Sequence, residues 1–137
     1  MKIVVRVRVE APVHPTESAA RVRTACLNVF PDLALVEKGG ALVGEGASMD
    51  AFRELVRNQR IRDTAREVLI RGRRGNETTF RLSKQAAFVR RVNFAAPSPL
   101  GDLTVTLEDE DLDALIDRVA ESTVGRRLTS PDRTEGR

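Results

Sequence analysis

Arg53, Arg57 and Arg60 recur at spacings of four and three, which puts three guanidinium groups on one face of a helix. Arg62 and Arg66 repeat the four-residue step, and Arg71, Arg73 and Arg74 crowd the turn after it. Like charges this close destabilise a helix by a few tenths of a kcal/mol per pair, so such a cluster calls for carboxylates from elsewhere in the fold or for an anionic ligand. Residues 53 to 91 hold 12 bases and four acids, whereas the stretches before and after are neutral and acidic, so a chain of formal charge +3 concentrates its cations in one block. That concentration is the electrostatic footprint expected of phosphate binding. Arginine supplies 20 of the 23 bases, and its planar fork suits bidentate contact with phosphate oxygens.

Other residue types offer less chemistry. The lone Cys26 lies on an apolar helical stripe, and the lone His14 sits between prolines without a metal partner nearby, so neither zinc coordination nor a Cys/His nucleophile is expected. The acids from Glu108 to Asp117 match no calcium-loop spacing and suit the positive end of a helix instead. Gly39, Gly40, Gly44 and Gly46 lack the lysine and hydroxyl of a phosphate loop and suggest a hairpin. Gly72, Arg73, Arg74 and Gly75 have the form of the GXXG loop of KH domains, but their place between a helix and a strand points to a plain turn bearing two arginines. With no paired acid and base and no activated nucleophile, the chain is expected to be non-catalytic and to need neither metal nor cofactor.

The elements that must carry the arginines follow from periodicity. Ile3, Val5, Val7 and Val9 alternate with polar neighbours as a half-buried strand, broken by Pro12 and Pro15. A helix is expected from about Thr16 until Pro31, then two strands over Leu33–Glu37 and Ala41–Glu45 around the glycine pair, then a helix capped by Ser48. The stripe of Phe52, Leu55 and Val56 lies opposite that of Ile61, Ala65 and Val68, which predicts a break near Asn58 to Arg60. Strands are expected at Thr78 to Leu82 and Leu103 to Leu107, with a helical turn over Ser83 to Ala87, an extended stretch from Val89 to Phe94, and a last helix carrying Leu112, Leu115, Ile116 and Val119. Alternating strands imply an α+β two-layer sandwich, an antiparallel or mixed sheet with helices on one face. The other face would show Arg6, Arg8, Arg81, Thr104 and Thr106. Residues 1–122 are read as one domain, with 123–137 a disordered tail. No apolar run approaches the length of a membrane span, and a cytoplasmic location is the expectation.

The strings APVHPTES, ALVGEG, FRELVRNQRIRDTAREVL, TTFRLSKQAAFVRRVNF and PLG resemble an archaeal protein family of unassigned function. The resemblance covers residues 3 to 120 and implies a fold similar to large-subunit ribosomal protein L-five, with RNA as the presumed ligand. No functional residues come with it. Together the charge and the resemblance give an expected partner, structured RNA in a ribosomal or RNA-processing setting. The candidate contacts are Arg53, Arg57, Arg60, Arg62, Arg66, Arg73, Arg74, Arg81, Lys84, Arg90 and Arg91. Lys84 enters because Ser83, Lys84 and Gln85 stand at a helix start, where an anion could be held. With no Tyr or Trp and most Phe on apolar stripes, backbone contact is favoured over base stacking. The alternative is a protein-interaction or homodimeric module in which the basic block meets the acidic last helix of a second copy.

Overall fold

The computed structural model describes residues 5–94 and 101–120. The tail 123–137 lies outside them. Six strands form one antiparallel sheet: β1 (Val5–Pro12), β2 (Ala34–Lys38), β3 (Ala41–Gly46), β4 (Arg73–Arg74), β5 (Glu77–Leu82) and β6 (Leu103–Asp109), in the order β2-β3-β1-β6-β5-β4. Every adjacent pair runs antiparallel, which settles the choice between an antiparallel and a mixed sheet. Five helices, α1 (Ala19–Val29), α2 (Asp50–Asn58), α3 (Arg62–Arg71), α4 (Lys84–Phe88) and α5 (Leu112–Val119), cover one side.

The period-2 pattern explains this layering. Val7 and Val9 of β1, Phe80 and Leu82 of β5, and Leu103, Val105 and Leu107 of β6 are all buried, while the residues between them in each strand lie on the open face. Val22, Cys26 and Val29 of α1, Phe52 and Val56 of α2, Ala65 and Leu69 of α3, and the apolar stripe of α5 close the core from the other side. At its centre the Phe52 ring lies 5.6 Å from both Phe30 and Phe80 and 6.4 Å from Phe94. Phe30, Phe52 and Phe80 are thereby committed to the interior, with Phe94 half-buried against them. Phe88 is the exception at 39% exposure, with the Arg21 guanidinium 5.5 Å from its ring centre.

Several local expectations need correcting. The first helix starts at Ala19, not near Thr16, because the Ser18 side chain accepts from the Arg21 amide and Glu17 is engaged elsewhere. Residues 89–94 do not run extended: Val89 and Arg90 form a turn, with Arg90 at φ +61°. The expected break between α2 and α3 is present, with Arg60 at φ +59°. Gly39 and Gly40, both at positive φ, form the β2–β3 turn, as the primed hairpin turns require.

Cys26 is fully buried, and desolvation pushes its thiol up to about 11, against the smaller pull of Lys84. At pH 8 a thiol with that value holds about a hundredth of the thiolate of an ordinary cysteine. Because the sulfur is also shielded from the reagent, we expect iodoacetamide to modify the native protein at no more than about one hundredth of the rate seen after denaturation, measurable by mass spectrometry. Comparable rates would show that the residue is reactive.

Candidate nucleic-acid interface

The basic block does not form one continuous surface. Four of the eleven candidate cations, Arg62, Arg66, Arg73 and Lys84, are engaged by other groups within the fold. Arg66 Nη1 is 2.6 Å from Asp117 Oδ1 and also donates to the Ala120 carbonyl; Arg73 pairs with Asp113 and bonds to the Gly75 carbonyl. The acidic helix α5 therefore covers this part of the block within one chain. Arg62 opens α3, half-buried and engaged by other groups. Arg53 lies at the edge of a cavity of about 250 Å³ between α2 and α5, shared with Asp50 and Arg118.

Lys84 departs furthest from expectation. It is 8% exposed, and its Nζ bonds to the Pro12 carbonyl at 2.5 Å and to Glu17 Oε1 at 2.9 Å. Burial pushes the Glu17 carboxyl up, but the His14 amide and the Lys84 ammonium outweigh it and hold the group below its ordinary value. The lysine thus fastens α4 to the loop after β1, and the helix start is capped by Ser83, whose hydroxyl accepts from the Ala86 amide. Lys84 presents no charge to a surface ligand.

The open face of the sheet is also unlike the expected basic surface. Arg6 lies 3.3 Å from Glu108 and 4.0 Å from Glu45, and Arg8 lies 3.0 Å from Glu77. Glu77 and Glu108 stand opposite each other across β5 and β6, a repulsive register that the two arginines relieve. Arg81, opposite Thr104, and Arg74, opposite Glu77, add exposed cations at this side's far edge. The face is polar, of mixed charge and without aromatics.

Arg57, Arg60, Arg90 and Arg91 remain, all exposed and, among the described residues, without an ion-pair partner. Two helix ends position them. At the end of α2 the Arg60 amide donates to the Arg57 carbonyl and the Ile61 amide to that of Val56, a Schellman closure with Arg60 at the left-handed position. At the end of α4 the Arg90 amide donates to the Ala87 carbonyl and the Arg91 amide to that of Ala86, the same closure with Arg90 at that position. Gln59 locks the two ends together: its Nε2 donates to the Val92 carbonyl at 2.9 Å, and its Oε1 accepts from the Val92 amide at 2.7 Å. Asn28 of α1 donates to the Ala87 and Phe88 carbonyls and braces the same corner. The Gln59 and Asn28 clamps are long-range pairings that local periodicity does not reveal. Only the break itself hinted at Gln59.

The C-terminal end of a helix carries partial negative charge, which favours cations beside it. Residues 95–100, AAPSPL, contain no charged residue. No group of His, Cys, Asp or Glu among the described residues could hold a metal ion.

A six-stranded antiparallel sheet with all its helices on one side and a cationic corner in the helical layer defines a small α+β domain of the single-sheet, one-sided kind. The chain belongs to the archaeal UPF0201 family. A UPF0201 protein of Methanothermobacter thermautotrophicus is 42% identical over 119 residues, spanning 84% of this chain and 90% of that protein. A UPF0201 crystal structure from Methanococcus jannaschii matches at 39% identity with a TM-score of 0.81, covering 86% of this chain and 94% of that one. An Archaeoglobus fulgidus protein named UPF0200/UPF0201 is 40% identical over 124 residues, a match that spans 87% of this chain but 38% of that longer protein. No family model matches the chain. None of these relatives bears an enzymatic name.

Proposed function

We propose that this protein is a non-catalytic, cytoplasmic RNA-binding domain that contacts the backbone of structured RNA through arginines of its helical layer. The observation that carries the reading is the set of four exposed arginines at the joined ends of α2 and α4, without an ion-pair partner among the described residues. Guanidinium groups at fixed spacing suit phosphate and 2′-hydroxyl contacts. With Phe30, Phe52 and Phe80 buried and Phe94 half-buried against them, Phe88 is the one exposed ring, and Arg21 covers it on one side. The likeness to large-subunit ribosomal protein L-five that the sequence resemblance implies would favour RNA over other polyanions.

Four neutralised phosphates correspond to a loss of about a hundredfold in affinity between 50 and 200 mM salt. Fluorescence anisotropy with a labelled 20-base-pair RNA hairpin should show that loss. An affinity insensitive to salt, or no binding at 50 mM, would refute the reading. Salt-sensitive self-association in light scattering without RNA binding would instead favour a homodimer. That alternative is weakened because α5 already meets Arg66 and Arg73 within the same chain.

A further inference from the structure

Left-handed backbone at a helix end is normally given to glycine or asparagine, because a Cβ there is strained. In the described residues the only non-glycine positions with positive φ are Arg60 and Arg90. They occupy equivalent places in two separate Schellman closures, and both closures meet at the Gln59–Val92 pair. A chain needing only to turn at these points would be better served by glycine, as it is at Gly39, Gly40 and Gly75, whose added Cβ would meet nothing. The side chains at 60 and 90 are therefore held at a conformational cost that the fold itself does not require.

From this we infer that the α2 and α4 ends form a paired phosphate grip. Arg60 and Arg90 are its contact residues, Arg57 and Arg91 flank them, and Gln59 is the positioning residue that fixes one end against the other. The inference rests on the RNA reading above and narrows it: phosphates of a structured RNA engage this corner of the helical layer and not the open sheet face. Gln59 accomplishes this without charge, through one side chain that bonds both polar backbone groups of Val92. Because the two arginines approach from different helices, they are suited to two phosphates of the backbone, not to one.

The test compares three variants in the full chain, each titrated with the same labelled RNA hairpin and melted in parallel. R60G/R90G should melt at or above the wild-type temperature, since glycine relieves the left-handed positions, yet bind the hairpin about tenfold more weakly. R74Q/R81Q removes the same formal charge from the far side of the sheet and should weaken binding less than threefold. Gln59→Leu keeps every charge, and its affinity should fall about fivefold with an unchanged salt slope. Should R60G/R90G fold poorly, R57Q/R91Q leaves both left-handed positions intact and should show the same tenfold loss. Wild-type binding with equal losses in R60G/R90G and R74Q/R81Q, or with R60G/R90G and R57Q/R91Q both near wild type, overturns the grip and leaves RNA binding standing. No binding by the wild type removes both.

Discussion

Lys84→Ala should lower the unfolding free energy by about 3 kcal/mol and leave the RNA affinity of the folded protein unchanged. The lysine and Glu17 are both nearly excluded from solvent, at 8% and 13% side-chain exposure, and lie 2.9 Å apart. Removing one partner strands the other charge in a site prepared for its opposite, and that, more than the lost attraction, is the source of the penalty. The Pro12 carbonyl also loses a donor. The sign of the pH dependence follows from Glu17. Its folded-state value lies below the ordinary 4.5, so its contribution is fully present above that pH and fades as the pH drops through the folded value. Wild type should therefore lose stability on acidification below about pH 4.5. In Lys84→Ala the burial that raises the Glu17 value is no longer opposed by the ammonium, and this acid-dependent loss should shrink or change sign. Urea unfolding between pH 3 and pH 7 provides the measurement. A variant as stable as wild type but impaired in RNA binding would return Lys84 to the interface.

The second large effect concerns the arginine corner as a whole. R57Q/R60Q/R90Q/R91Q should weaken hairpin binding by about a hundredfold or more at 100 mM salt and bring the slope of log affinity against log salt close to zero. The same number of charges removed from pairs that already face acids, as in R66Q/R73Q, should cost little affinity. Those arginines are occupied by Asp117 and Asp113, and an exposed pair of this kind contributes only about 0.2–1 kcal/mol to stability. The contrast separates what cations do for the fold from what they do for a ligand. Filter binding across four salt concentrations checks it; a quadruple variant with wild-type slope would place the phosphate contacts elsewhere.

How much of this was legible in the sequence depends on range. Alternation identified the inward faces of β1, β5 and β6, and the opposed stripes around Asn58 identified the break between α2 and α3, because both signals arise from neighbours within one or two turns. The glycine pair and the carboxylates at the start of α5 are equally local: Asp111 caps that helix by accepting from the Ala114 amide. What failed was set at a distance. Lys84 looked like an exposed helix-start cation because its partner, Glu17, lies 67 residues away. Whether Arg66 and Arg73 meet carboxylates or a ligand stays open in the sequence because Asp117 and Asp113 lie 51 and 40 residues on. The stretch 89–94 looked extended because arginine does not announce a left-handed turn, which the closure of α4 and the clamp from Gln59 impose. The charge block was visible in the sequence, but its division into capped, buried and exposed cations emerges only when the layers meet.

Arginine side-chain resonances offer the most direct view of the central claim. In proton–nitrogen correlation spectra of the Nε–Hε groups, titration with the RNA hairpin should shift Arg57, Arg60, Arg90 and Arg91, while Arg6, Arg8, Arg66 and Arg73, already held by carboxylates, stay in place. Shifts confined to the sheet-face arginines, or none at saturating RNA, would contradict it.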